Sequence, residues 1–146
     1  MSARPTLGLG FFGIALALAA CGGDDELFFP PGDAESGKVV FQELQCYSCH
    51  EVRGAEFPAP SAITPTYVPL GATGKQHSRN YLLSSIIAPS HQFAEPSPPP
   101  GVKAGPENVM SGERSRMNDF TDRLTVRQLI DLVAYLQYLE SLPPEQ

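Results

Sequence analysis

In the stretch FQELQCYSCHEVRG, Phe41 to Gly54, two residues separate Cys46 from Cys49, and His50 follows directly. Three chemistries use such a set. Two thiolates and an imidazole can hold zinc if a fourth ligand, here His77 or His91, joins them. Two thiols alone can cycle through a disulfide. Two thiols can also add to the vinyl groups of a haem, the residues between them setting the span while the histidine turns under the ring to bind iron. Adjacent Cys49 and His50 point awkwardly for one tetrahedral ion, and a thioredoxin-like dithiol wants a βαβ context that this chain lacks.

The first twenty residues bear on the choice. Arg4 supplies positive charge, Leu7 to Ala20 is an uncharged apolar run, and small residues precede Cys21, the pattern of an export signal. The run is too short to span a bilayer comfortably, which takes about 20 residues. Its end, LAAC from Leu18 to Cys21, resembles the lipobox of bacterial lipoproteins and implies an acylated Cys21 as the new N-terminus; an ordinary cleaved signal is the alternative. Acyl chains contribute roughly 0.8 kcal/mol per buried CH₂ and would tether a domain that never crosses the membrane. Export also means an oxidising compartment. With Cys21 committed to lipid, Cys46 and Cys49 have to serve each other or a common ligand. Covalent haem attachment belongs outside the cytoplasm, so signal and motif agree.

Charge narrows the partners. Ten Lys and Arg stand against sixteen Asp and Glu, a formal net charge of −6, which makes nucleic acid an unsuitable partner. Acidity favours a partner with a basic docking surface, or serves solubility alone.

The chain has one domain's worth of residues and 15 prolines. Residues 21–32, GGDDELFFPPG with its preceding Cys, read as a flexible linker. Asp33 reads as the N-cap of a helix to about Leu44, with Val40, Phe41 and Leu44 on one face and Gly37 one turn before Phe41. A glycine there costs about 1 kcal/mol in helix propensity, which suggests a close helix crossing. Val52 to Gln76 is proline-rich loop, unusually long unless it wraps a large non-protein group. Ser78 caps a short helix from Arg79 to about Ala88, with Leu82, Ile86 and Pro89 on one side. Glu95 to Pro106 is a second loop. The final helix carries a capping box, Thr125 and Gln128, with Leu129, Leu132, Val133, Leu136 and Leu139 facing inward and Arg127, Gln128, Asp131, Gln137 and Glu140 mainly outward. Pro143 and Pro144 end it, leaving 143–146 as a tail. There is no period-two strand of useful length, so the class is all-α with long loops.

An iron held by His50 has an open far side or a second ligand from Met117, Met110, His77 or His91. Met117 sits just before the loop that enters the capped terminal helix, with Phe120 and Leu124 available to pack on a macrocycle. Met110 falls in a loop without a following helix, and His77 and His91 read as surface or loop histidines.

These features together resemble the class I c-type cytochromes over about Gly32 to Leu142. The resemblance rests on the Gly37/Phe41 helix, the Cys46-Tyr47-Ser48-Cys49-His50 motif, the Met117-x-x-Phe120 segment and the last helix with Tyr135 and Leu136. It implies an all-α, cytochrome c-like fold of three to four helices and long loops around one covalently bound haem c, in a domain spanning 33–142. It further implies Cys46 and Cys49 as the covalent attachment points, His50 as proximal and Met117 as distal ligand, and a crossing of first and last helices at Gly37. The family usually has Pro after the distal Met; here it is Asn118, which puts the rigidity of that loop in doubt.

The function implied is a membrane-tethered periplasmic carrier of single electrons between respiratory redox proteins, not an enzyme by itself. A fixed redox subunit of a membrane oxidoreductase complex, or a five-coordinate haem sensor or peroxidase-like protein, are the alternatives. Arg114 and Arg116 flank the distal loop and can meet a haem propionate, a redox partner or only solvent. Tyr67 and Tyr81 read as core tyrosines.

Overall fold

Three α-helices each begin at a residue whose side chain accepts an otherwise free N–H, in a computed structural model that describes residues 29–144. The expected export signal, Cys21 with its expected lipid, the expected linker up to residue 28 and the last two residues lie outside the described residues. Helix α1 is Ala34–Glu43, with Asp33 Oδ1 accepting from Ser36 N at 2.7 Å. Helix α2 is Arg79–Ile87, capped by Ser78 Oγ at 3.1 Å from Tyr81 N. Helix α3 is Val126–Ser141, where Thr125 and Gln128 close the expected capping box at 3.2 and 3.0 Å. A hydroxyl cap of this kind stabilises by about 1 kcal/mol.

Helix α3 is the spine, packing against α1, α2 and the strand β2 described below. It crosses α1 at Gly37, where a Cβ would overlap the carbonyl oxygen of Asp131 and lie 2.8 Å from Tyr135 Cβ. One turn on, the fully buried Phe41 meets Tyr135 edge-on with ring centroids 5.5 Å apart, and Phe57 from the long loop at 5.2 Å. Phe41 thus ties the crossing to the loop, and its burial alone contributes about 1.5–3 kcal/mol. Val40, Leu82, Leu83, Ile86, Phe120, Leu132, Val133, Leu136 and Leu139 complete the core.

Several expectations need correction. Asp131 is not on the outer face of α3 but 5% exposed, because its Oδ1 accepts the backbone N–H of Asp33 at 2.7 Å and its Oδ2 the Nε–H of Arg127 at 3.0 Å. Glu140 also turns inward, to His77. The end of the presumed linker is docked: Phe29 packs on the core, and Arg79 donates to the carbonyls of Phe29 and Pro30 at 3.1 and 2.9 Å. Short strands exist inside the loops. Strand β1 (Val52–Arg53) pairs in parallel with β2 (Leu70–Gly71), and β3 (Met110–Ser111) pairs antiparallel with β4 (Arg114–Ser115). Two residues each, they pin loops rather than form a sheet layer, and the all-α class stands.

Candidate metal centre

The end of α1 delivers the cysteine motif. Gln45 takes a left-handed backbone, φ 55°, which turns the chain out of the helix into a single 3₁₀ turn over Cys46–Ser48. Cys49 N and His50 N both point back to Cys46 O, at 3.3 and 3.1 Å, so the two cysteines and the histidine share one turn. The thiols meet different surroundings. Cys46 packs against the core and its burial pushes the thiol up to about 12, whereas Cys49 is exposed. Such burial works against a nucleophilic thiolate at Cys46. One inward and one outward thiol instead suit a group buried along one edge and exposed along another.

His50 is oriented by a partner that sequence reasoning missed. Its Nδ1 lies 2.8 Å from the carbonyl oxygen of Val68, which can only accept, so Nδ1 carries the hydrogen and Nε2 keeps a free lone pair. Burial pulls the ring's pKa below its ordinary value, a pull that the bond to Val68 partly offsets. The result is a neutral, fixed imidazole with one nitrogen available to a metal, the arrangement in which an outer partner sets tautomer and angle. Val68 precedes Pro69, a context that disfavours helical backbone, and follows Tyr67 at φ 52°. The only advance signal of this partner was that Pro69.

The long loop is stitched to the motif rather than draped over it. Ser61 N and Ala62 N donate to Ser48 O at 2.9 and 3.0 Å, Thr66 Oγ1 to Cys49 O at 2.9 Å, and Leu70 N to Glu51 O at 2.8 Å. Farther along the chain, the buried Asn108 donates from Nδ2 to Pro65 O at 2.8 Å. No local pattern marked Asn108.

Met117 is half-buried and packs on the same apolar cluster as Cys46, Val52, Leu70 and Tyr81, next to the buried Phe120. Its loop is held despite Asn118. Met117 N donates to Ser115 Oγ at 3.1 Å, and Asp119 Oδ1 accepts Thr121 N at 2.8 Å, closing an Asx turn. The Thr121 hydroxyl reaches both Asp119 Oδ1 and Ile87 O, at 2.6 and 3.0 Å, bringing the loop against the end of α2.

The other candidate ligands are placed elsewhere. Met110 lies in β3 opposite Ser115, not in the irregular loop expected. His77 is no loose surface residue: Nδ1 is 2.7 Å from Glu140 Oε1, its backbone N–H donates to Oε2 at 2.9 Å, and its ring stacks on Tyr81 at 4.5 Å. His91 is exposed. Among the described residues no three His, Cys, Asp or Glu side chains form a metal-holding group, so the zinc alternative finds no assembled fourth ligand.

The donor set therefore fits a haem: two thiols on one turn, a neutral imidazole with one free nitrogen, and a thioether on a pinned loop. Comparison with protein families agrees. A family model described as cytochrome c matches residues 34–140, from the first residue of α1 to the last turn of α3. Comparison with curated proteins returns no match.

Proposed function

The chain belongs to the cytochrome c family, whose members bind haem c covalently and use it for electron transfer, and from that membership we propose the roles of its own residues. Cys46 and Cys49 hold one haem through two thioether bonds, His50 binds the iron through Nε2, and Met117 binds the opposite side. The bond from His50 Nδ1 to Val68 O carries this reading, because it leaves Nε2 as the ring's only donor atom for iron. Haem held in this way supplies an iron that accepts and releases one electron at a time.

The protein's part is to hold that group rigid and to leave one edge accessible. The Gly37 crossing and the Phe41–Tyr135–Phe57 contacts fix the turn bearing the cysteines. Leu82, Ile86, Leu132 and Leu136 keep water from the interior. Cys49 is exposed, and the loop pinned beside it carries no charged residue from Phe57 to Gly74, with Pro58, Ala59, Pro60 and the fully exposed Ile63 at its surface. That face is where redox partners, a donor and an acceptor, dock and exchange electrons. Contact there is apolar, and the acidic remainder serves solubility.

The carrier works on the periplasmic side of a bacterial membrane, tethered through lipid on Cys21. The charged, apolar and small-residue pattern of the first twenty residues supports this. No helix among the described residues is long and apolar enough to cross a membrane. The role is transport of electrons, not catalysis by itself.

Carbon monoxide added to the reduced, haem-loaded protein tests the assignment. With His50 and Met117 both bound, carbon monoxide binds slowly or not at all at neutral pH. Rapid binding would overturn the Met117 assignment and favour a five-coordinate sensor or peroxidase-like protein. Intact-mass measurement after denaturation should retain one haem, and Cys46→Ser with Cys49→Ser should release it.

A further inference from the structure

Beside Met117 lies a cleft of about 310 Å³. Ser90, Arg114, Ser115, Arg116 and Asp119 line it along with Met117. Arg114, in β4, and Arg116, in the bend that follows it, both line the cleft. Neither forms an ion pair among the described residues, and Arg116 reaches only the Glu107 carbonyl at a long 3.4 Å. Against these two charges the lining sets one carboxylate, Asp119, whose Oδ1 accepts from Thr121 and whose pKa is lowered by those bonds and by the charge of Arg114. Two hydroxyls add donors. Ser90 Oγ accepts from Ser115 N at 3.0 Å and Ser115 Oγ from Met117 N at 3.1 Å, so each oxygen's own hydrogen is left to donate. In a chain of net charge −6, this is a local concentration of positive charge and hydrogen-bond donors.

We propose that this cleft binds a small oxyanion carrying two negative charges, of the sulfate or phosphate class, against Arg114 and Arg116. The planar guanidinium fork matches the oxygens of such an ion in pairs, and an anion between two guanidinium groups removes their mutual repulsion. Binding is coupled to oxidation state, a part that rests on Met117 being the iron's distal ligand. A dianion next to that ligand favours the more positive ferric iron, so the oxidised protein binds the anion more tightly. By linkage the reduction potential falls as the anion saturates the cleft.

Calorimetric titration of the full-length, haem-loaded protein in detergent, with inorganic phosphate or sulfate at constant ionic strength, tests the site. One saturable site is expected in the oxidised protein. Arg114→Gln and Arg116→Gln should each weaken it about tenfold, the loss of one charge-assisted hydrogen-bonding group, and the double variant should abolish it. Both side chains are exposed, so circular dichroism should match the parent. Absence of saturable heat, or a double variant that binds as the parent does, overturns the site. A potential that does not fall with phosphate overturns the coupling. Iron ligation is read separately from the ferric thioether-to-iron charge-transfer band: its absence in the parent refutes Met117 as ligand while the binding titration still stands.

Discussion

Gly37 of α1 lies so close beneath the main chain of α3 that any side chain on it would overlap the carbonyl oxygen of Asp131. That contact sets the distance between the helix leading into the cysteine motif and the helix that backs the core. It also decides the sign of a substitution that helix propensity alone would get wrong.

Propensity favours Ala over Gly by about 1 kcal/mol within a helix. Gly37→Ala should nevertheless lower stability, by roughly 1–3 kcal/mol, because the overlap involves backbone and the helices have to separate. Denaturant unfolding monitored by circular dichroism measures the difference; an unchanged or raised midpoint would refute the tight crossing.

Asp131 links the two helices a second way. Asp131→Ala leaves the Asp33 N–H without its acceptor and Arg127 without its partner, and should cost about 1–3 kcal/mol. Arg127→Ala, which removes only the more exposed partner, should cost less. Equal losses in the two variants would mean that the bond to Asp33 N contributes nothing.

Asp33 gives a pH dependence. Its bonds from the Ser36 backbone and hydroxyl hold its pKa below the ordinary 3.8. A depressed folded value means that its stabilising contribution is present above 3.8 and is lost as pH falls through the lower, folded value. Asn can cap the helix without ionising, so Asp33→Asn should leave the neutral-pH midpoint close to the parent's and flatten the acid limb of a stability-versus-pH curve below 3.8. An acid limb as steep as the parent's would contradict the assignment.

The distal assignment is separable from haem attachment. Met117→Ala should abolish the ferric thioether-to-iron charge-transfer band and allow rapid carbon monoxide binding after reduction, with haem still attached on a denaturing gel. Met110→Ala should do neither, since Met110 is held in β3.

Ile63 tests the exchange face. Being fully exposed, it can be replaced by Glu with a stability change within about 0.5 kcal/mol. Electron uptake from a membrane fraction containing the native donor should slow about tenfold, and the parent's rate near the docking limit should depend weakly on salt. A steep fall with salt, or an unaffected Ile63→Glu, would place docking elsewhere.

Much of this molecule was readable along the chain because the responsible interactions are local. Asp33, Ser78 and Thr125 cap N–H groups three residues ahead, and the cysteine motif spans one turn. The apolar rows of α1 and α3 repeat at helical spacing, so their buried faces were legible, and Gly37 stood out as a propensity cost needing a reason. Asp131 was misplaced by the same logic, because periodicity sorts residues by polarity and has no means of seeing a carboxylate held inside by a backbone N–H from another helix.

The sequence by itself singled out the candidate residues for the chemistry and determined the helices that bracket them and the all-α class. Tertiary structure decided how those residues are held. Val68 reaches His50 across 18 positions, Asn108 reaches Pro65 across 43, Glu140 reaches His77 across 63, and Asp131 reaches Asp33 across 98. Apart from the Pro69 beside Val68, none of these pairs has a local signature, since a hydrogen bond between distant residues depends on where the packed helices bring them, and only folding brings them together.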